Sequence, residues 1–424
     1  MSTMQKTTGW QVVRQRIVLV MAMFWGLAAF LPVGMNYLAL VLMLLALLVH
    51  GGLAQRLQRV RSHAVFWPMV IFVVVTLAAL ALQDRMYPET PANLMHGARI
   101  VLTLALALSL TRLEARAAVV GVAGAFLGVA LMLASFHAGL LPSHGFWMHL
   151  THPSTNKSIS AAIVCSMLAA AATSLSVSAR GWHRVMAMLV FAVALLVIFT
   201  ALEQRTAVLG YVLSLLAIAI HQWRGHPVKL GAGVLAVSVF AAGLYTAMPE
   251  LRQRLDQGAT EVQSALDGKV ELASWNIRIQ MIRHTSDMMW EKPVTGWGVG
   301  AWNTQWRERV PDMLDGFNMP HNDLLWMGSQ AGLPGALAWL VLMLSTCWAA
   351  WRERHWAGRA AFALGVIATF SALVNSATRD ATLGLPMLWL LGVMLAYARS
   401  GEPQSASAAS RGASLEDAGA ALQR

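Results

Sequence analysis

Charge is what this chain has least of. Asp, Glu, Lys and Arg together make up 12% of its 424 residues, about half the ~25% usual in a soluble domain. Cysteine is nearly absent. Cys165 and Cys347 both fall inside apolar runs, with no CxxC and no Cys/His cluster, which argues against a disulfide framework or a zinc site. There is no HExxH helix, no paired acidic motif and no His/Asp cluster at metal-ligand spacing, so no metal or other cofactor is expected. No GxSxG elbow marks a serine nucleophile. The period-two alternation of a membrane β-barrel is missing too. The formal charge of +11 does not point to nucleic acid, because the basic residues lie mostly in short loops between apolar runs.

What is present is hydrocarbon. The chain is 57% hydrophobic, with a mean hydropathy of +0.57. Runs of 17–25 apolar residues recur from end to end, each long enough to cross ~30 Å of lipid as a helix. Twelve spans are expected, at about 17–33, 36–52, 64–82, 98–111, 117–137, 158–178, 185–202, 206–222, 228–247, 322–348, 360–377 and 383–398. The first follows Lys6, Arg14 and Arg16 and has no small-residue cleavage site, so it reads as a retained helix. With both termini in the cytoplasm, eighteen of the 31 basic residues fall inside and only five in short outside segments, which follows the positive-inside rule. The fold class is therefore an all-α integral membrane protein, forming one polytopic domain over 1–400. Residues 401–424, rich in Ala, Ser and Gly, read as a disordered cytoplasmic tail. No internal repeat suggests an inverted-repeat transporter.

One segment outside the bilayer is long, at about 248–321. Residues 251–268 are expected to be helical. Residues 271–291 carry Leu272, Trp275, Ile279, Ile282 and Met289 at three-to-four spacing, as one face of a helix. Pro293 follows, then Gly296-Trp297-Gly298-Val299-Gly300. That sequence lacks the Gly-Lys-Ser/Thr of a phosphate loop and reads as a tight turn.

Chemistry concentrates at the outside edge. His321, where the long segment re-enters the membrane, is placed to take a proton from a hydroxyl, though a satisfied interfacial histidine would look the same. Asn322 and Asp323 either orient its ring or begin the next helix, capping being favoured for Asp323. Arg205, Arg278, Arg283 and Arg99 offer planar forks suited to phosphate. Headgroup contact or ion pairing is the alternative for each, with Asp287 in reach of Arg283. Lys157 is either a second phosphate ligand or a topological anchor, and His152 has no visible partner. Charges at the edge instead of deep within the spans speak against a polyprenyl-glycan flippase or transporter.

His321-Asn322, nine residues, Gly332, two residues and Gly335 resemble the signature of the bacterial O-antigen ligase and polymerase superfamily. The long segment before the histidine is similar to that family, as are Gln204-Arg205-Thr206-Ala207 and Trp275/Arg278 followed by Lys292-Pro293. Within the superfamily, one large outside loop resembles the ligase. The polymerase usually has arginine motifs in two loops, and the protein O-oligosaccharyltransferases add a soluble domain. The resemblance implies metal-independent, inverting glycosyl transfer at the periplasmic face of the inner membrane. O-antigen would move from undecaprenyl pyrophosphate to lipid A–core, with membrane lipids around both. It implies His321 as the base and Arg205 and Arg278 as pyrophosphate ligands, with Arg283, Arg99 and Lys157 as further candidates. Asn322, Gly332 and Gly335 would complete the motif. Both substrates are lipid-anchored, so a cavity open to the outer leaflet is expected.

Overall fold

A computed structural model describes residues 9–142, 156–199, 204–247 and 249–399. Among the described residues every regular element is helical. The first half comprises α1 (Gly9–Ala28), α2 (Val33–His50), α3 (Leu53–Arg61), α4 (Phe66–Leu82), α5 (Thr90–Leu108), α6 (Arg112–His137), α7 (Asn156–Ser178) and α8 (Gly181–Val197). After it come α9 (Arg205–Trp223), α10 (Pro227–Ala247), α11 (Pro249–Leu266), α12 (Ser274–Glu291), α13 (Trp302–Arg307), α14 (Asp323–Arg352), α15 (Trp356–Val374) and α16 (Ala381–Ala398). The expected tail over 401–424 and His152 lie outside the described residues.

Among the described residues each of the twelve apolar runs falls on a helix. Among these residues ten helices are long and apolar enough to cross a membrane, or eleven if α3 and α4, bent by 88°, form one broken span; the full twelve are not shown. The helices α4 and α8 have 17 residues each, roughly 25 Å at 1.5 Å per residue, short of a ~30 Å hydrocarbon core. Helix α5 starts at Thr90, well before the expected 98. Its first turns carry Pro91, Asn93, His96 and Arg99, whose polarity hides the helix from a hydropathy reading.

Helix α16 is the axle of the bundle, with 83% of its span buried. It packs on α5, α6, α7 and α15, and Trp389 stacks on Trp25 of α1 with ring centroids 3.7 Å apart. Far from His321, Arg56 of α3 grips Glu114 of α6 at 2.8 Å, both side chains almost fully buried. Glu114 also closes a capping box with Thr111.

The long segment has its own small core. Trp302 and Trp306 stack at 5.0 Å against Met281, Met288 and Leu314. Their indole N–H groups donate to Thr285 Oγ1 and to the Leu314 carbonyl, so these large rings are buried without an orphan donor. This core fixes α12 over the bundle. Below it, α14 is interrupted at Ala331 and Gly332. Pro334, which has no backbone N–H, follows the break. The Gly296–Gly300 turn docks there: Trp297 N–H donates to the Ser329 carbonyl and Gly298 N–H to the Gln330 carbonyl. The turn is held on its other side by Gln83 and Thr90, which bond Val299 N–H and its carbonyl.

Candidate functional site

His321 sits in the left-handed region, at φ 50°, alone among the described non-glycine residues. That conformation is uncommon for a residue with a Cβ, though histidine adopts it more readily than most. Pro320 before it and the helix after it hold it there. Asn322 starts α14: its Oδ1 accepts from Leu325 N–H at 3.0 Å. Asp323, the residue favoured from sequence as the cap, does something else. It is fully buried and accepts from both the N–H (2.7 Å) and Oγ1 (2.6 Å) of Thr378. Neither residue orients the imidazole. Among the described residues neither ring nitrogen of His321 has a hydrogen-bond partner.

His321 lines a cleft of about 250 Å³ together with Arg278, Phe317, Asn375, Ser376 and Asp380, floored by Ile159 and Leu383. This is below the ~300–1,000 Å³ of a pocket that swallows a whole small molecule. It suits the reacting end of a larger substrate. Arg278 reaches in from α12, with Nη2 3.4 Å from Asn375 Oδ1 and its guanidinium over the Trp275 ring.

The surroundings are positive without many whole charges. The N-terminal ends of α7, α9, α14 and α16 meet here. Ser158 accepts from Gln204, Thr206 from Asn375, and Ser160 donates to the Thr382 carbonyl at 2.7 Å. Each helix start carries a partial positive charge, up to ~0.5 of an elementary charge. His321 is pushed down from the ordinary 6.5 to about 4, chiefly by burial, then by Arg278 and Arg379. It is therefore neutral at physiological pH, with a free lone pair.

The remaining sequence candidates distribute unevenly. Arg278 and His321 are brought together. Arg99 is buried and donates to Tyr37 Oη at 2.7 Å and to the Arg379 carbonyl, so it braces the α15–α16 loop. Arg283 is exposed on α12. The side chains of Arg205 and Lys157 lie outside the described residues; their backbones form the first turns of α9 and α7. Gly332 and Gly335 are packing residues. A Cβ on Gly332, at φ 64°, would collide with the Pro293 carbonyl, and one on Gly335 with the Met327 carbonyl. Arg379 and Asn375 were missed from sequence. Among the described residues no group of three His, Cys, Asp or Glu side chains is placed to hold a metal.

Arginine and a histidine without a hydrogen-bond partner among the described residues thus meet at one edge of a multi-pass membrane bundle. Residues 189–340 match the family model described as O-antigen ligase, so over this segment the chain is similar to the O-antigen ligase/polymerase superfamily. The matched segment contains Arg205, Arg278, Arg283, His321, Gly332 and Gly335, and stops before the α15–α16 loop. No curated protein matches the chain.

Proposed function

We propose that the protein is a ligase of this superfamily, moving O-antigen polysaccharide from undecaprenyl pyrophosphate to lipid A–core at the periplasmic face of the bacterial inner membrane. The observation that carries the reading is the cleft lined by both Arg278 and a neutral His321 that has no hydrogen-bond partner among the described residues.

In this reaction His321 takes the proton of an acceptor sugar hydroxyl. That oxygen attacks the anomeric carbon on the face opposite the pyrophosphate. The bond from that carbon to the diphosphate oxygen breaks, its electron pair leaves with the diphosphate, and configuration inverts. The proton then passes from His321 to water. Arg278, with Arg205 at the first turn of α9, would stabilise the charge gathering on the leaving group. An activated leaving group needs little more than positioning and charge stabilisation. Bound pyrophosphate also sets negative charge beside the imidazole, which favours its protonated form and makes it a stronger base when the donor is in place.

The test is His321→Ala at unchanged membrane abundance, read by lipopolysaccharide gel. The expected result is loss of O-antigen attachment while polymerised chains accumulate on the lipid carrier. Wild-type lipopolysaccharide would overturn the catalytic role, and capped single-unit lipopolysaccharide would assign the chain to the polymerase branch.

A further inference from the structure

Across the bundle from the cleft, at the end where the basic loops are expected to face the cytoplasm, one arginine is buried without a countercharge. Arg359, in the first turn of α15, is 4% exposed. Its Nη1 donates to Gln222 Oε1 at the end of α9. Its Nη2 donates to the Ser174 carbonyl at 2.6 Å and to Ser178 Oγ at 2.7 Å, both in the last turn of α7. All three acceptors are neutral. Among the described residues no carboxylate pairs with Arg359, its Nε has no hydrogen-bond partner, and neither has the buried Oγ of Ser174. Arg56, buried at the same end, shows the contrast, because it holds Glu114 at 2.8 Å. The charge around Arg359 is of its own sign. The stretches 178–184, 222–229 and 351–359 bring Arg180, Arg184, Arg224, Lys229, Arg352 and Arg354 to this end. Their one carboxylate, Glu353, lies 3.6 Å from His355.

A buried cation is costly unless an anion compensates it. Here the chain supplies no anion but leaves a way in. Gln222 and Ser178 are exposed, so two of the groups that hold the guanidinium stand at the surface. The apolar flank next to them is open too. Helix α7 packs on α8, α9 and α15, and α8 meets α9 through Phe191 and Tyr211, with ring centroids 6.3 Å apart. Nearer the Arg359 end, Trp182, Val185, Met188 and Leu189 of α8 and Ile220 of α9 are exposed. We propose that Arg359 is the headgroup site of a bound anionic phospholipid. The lipid phosphate takes the place of Gln222 Oε1 on the guanidinium, and Ser178 Oγ and the Gln222 amide donate to the same phosphate. The acyl chains lie along the exposed flank of α8. Anionic lipids gather where basic residues line the end of a transmembrane bundle, and a guanidinium fork matches phosphate oxygens. The site is independent of the proposed glycan transfer.

The experiment uses the full chain in nanodiscs of phosphatidylcholine carrying a minor fraction of phosphatidylglycerol, with retained lipids counted by native mass spectrometry. Phosphatidylcholine carries the same phosphate with its own cation, so the comparison isolates net charge. Wild type is expected to retain phosphatidylglycerol in preference by about tenfold or more, the worth of a charge-assisted contact. Gln222→Glu is the sharpest variant. It gives Arg359 a carboxylate from within the protein, so the fold is kept and the preference is expected to fall to about twofold or less. Arg359→Gln should lose the preference likewise, and Arg359→Lys should keep part of it. Exposed Arg352→Gln should leave it unchanged. Equal retention of the two lipids by wild type overturns the site, as does a wild-type preference in folded Gln222→Glu. A loss in Arg352→Gln as large as in Gln222→Glu would mean diffuse positive charge and would also overturn it. Displacement of the lipid by inorganic phosphate would reassign the site to a free anion and overturn the lipid.

Discussion

At the scale of single residues, the proposed reaction depends on a histidine whose pKa burial pushes down to about 4. The acid limb of kcat/KM reports the free enzyme. With His321 held near 4, transfer should persist as pH falls through the usual histidine range and decline only towards pH 4–5. A limb centred near 6.5 would show a solvated imidazole and contradict the burial that depresses it. The arginines should separate as well. Arg278→Gln is expected to lower kcat/KM by about tenfold or more, the worth of a charged hydrogen bond, whereas exposed Arg283→Gln should stay within about twofold. His321 was legible in sequence through its motif. Asp323 was legible only as a polar residue at a helix start, because its partner Thr378 lies 55 positions away. Arg379 was invisible for the same reason: it is positioned by Arg99, 280 positions earlier. No local pattern encodes such pairs.

At the scale of elements, hydropathy alone located the helices of the bundle, since lipid-facing runs are a property of consecutive residues. It failed where a helix mixes polar and apolar turns, as in the first turns of α5. The turn at Gly296–Gly300 was recognisable from its glycines, but its purpose was not. It fills the break in α14, and the motif glycine Gly332 is the other half of that joint. Gly332→Ala must place a Cβ against the Pro293 carbonyl at positive φ, so a loss of about 1–3 kcal/mol or more is expected. The measurement is the thermal midpoint of the detergent-purified protein. Gly316→Ala, with open space around it, should leave that midpoint unchanged, and equal midpoints for both variants would refute the joint.

At the scale of the whole molecule, scaffold and site occupy opposite ends of the bundle. The Arg56–Glu114 pair ties α3 to α6 at the far end. Arg56→Ala would strand a buried carboxylate at a cost of about 3–5 kcal/mol and should reduce folded abundance. Replacing both partners, Arg56→Met with Glu114→Leu, should recover most of it. Activity per folded molecule should be unchanged in either case, and a change in it would mean that the two ends are coupled.

The converging N-termini of α7, α9, α14 and α16 carry a kinetic consequence under the proposed reaction. When the glycan departs, the carrier's diphosphate gains an anionic oxygen, and the same positive field that eased its departure now holds it more tightly than the donor. Turnover should then be limited by release of the spent carrier. Added undecaprenyl pyrophosphate should compete with the donor at concentrations below the donor's own KM. A cell using this protein would need a phosphatase to clear that product, and the rate of O-antigen attachment would follow the rate at which the carrier is recycled.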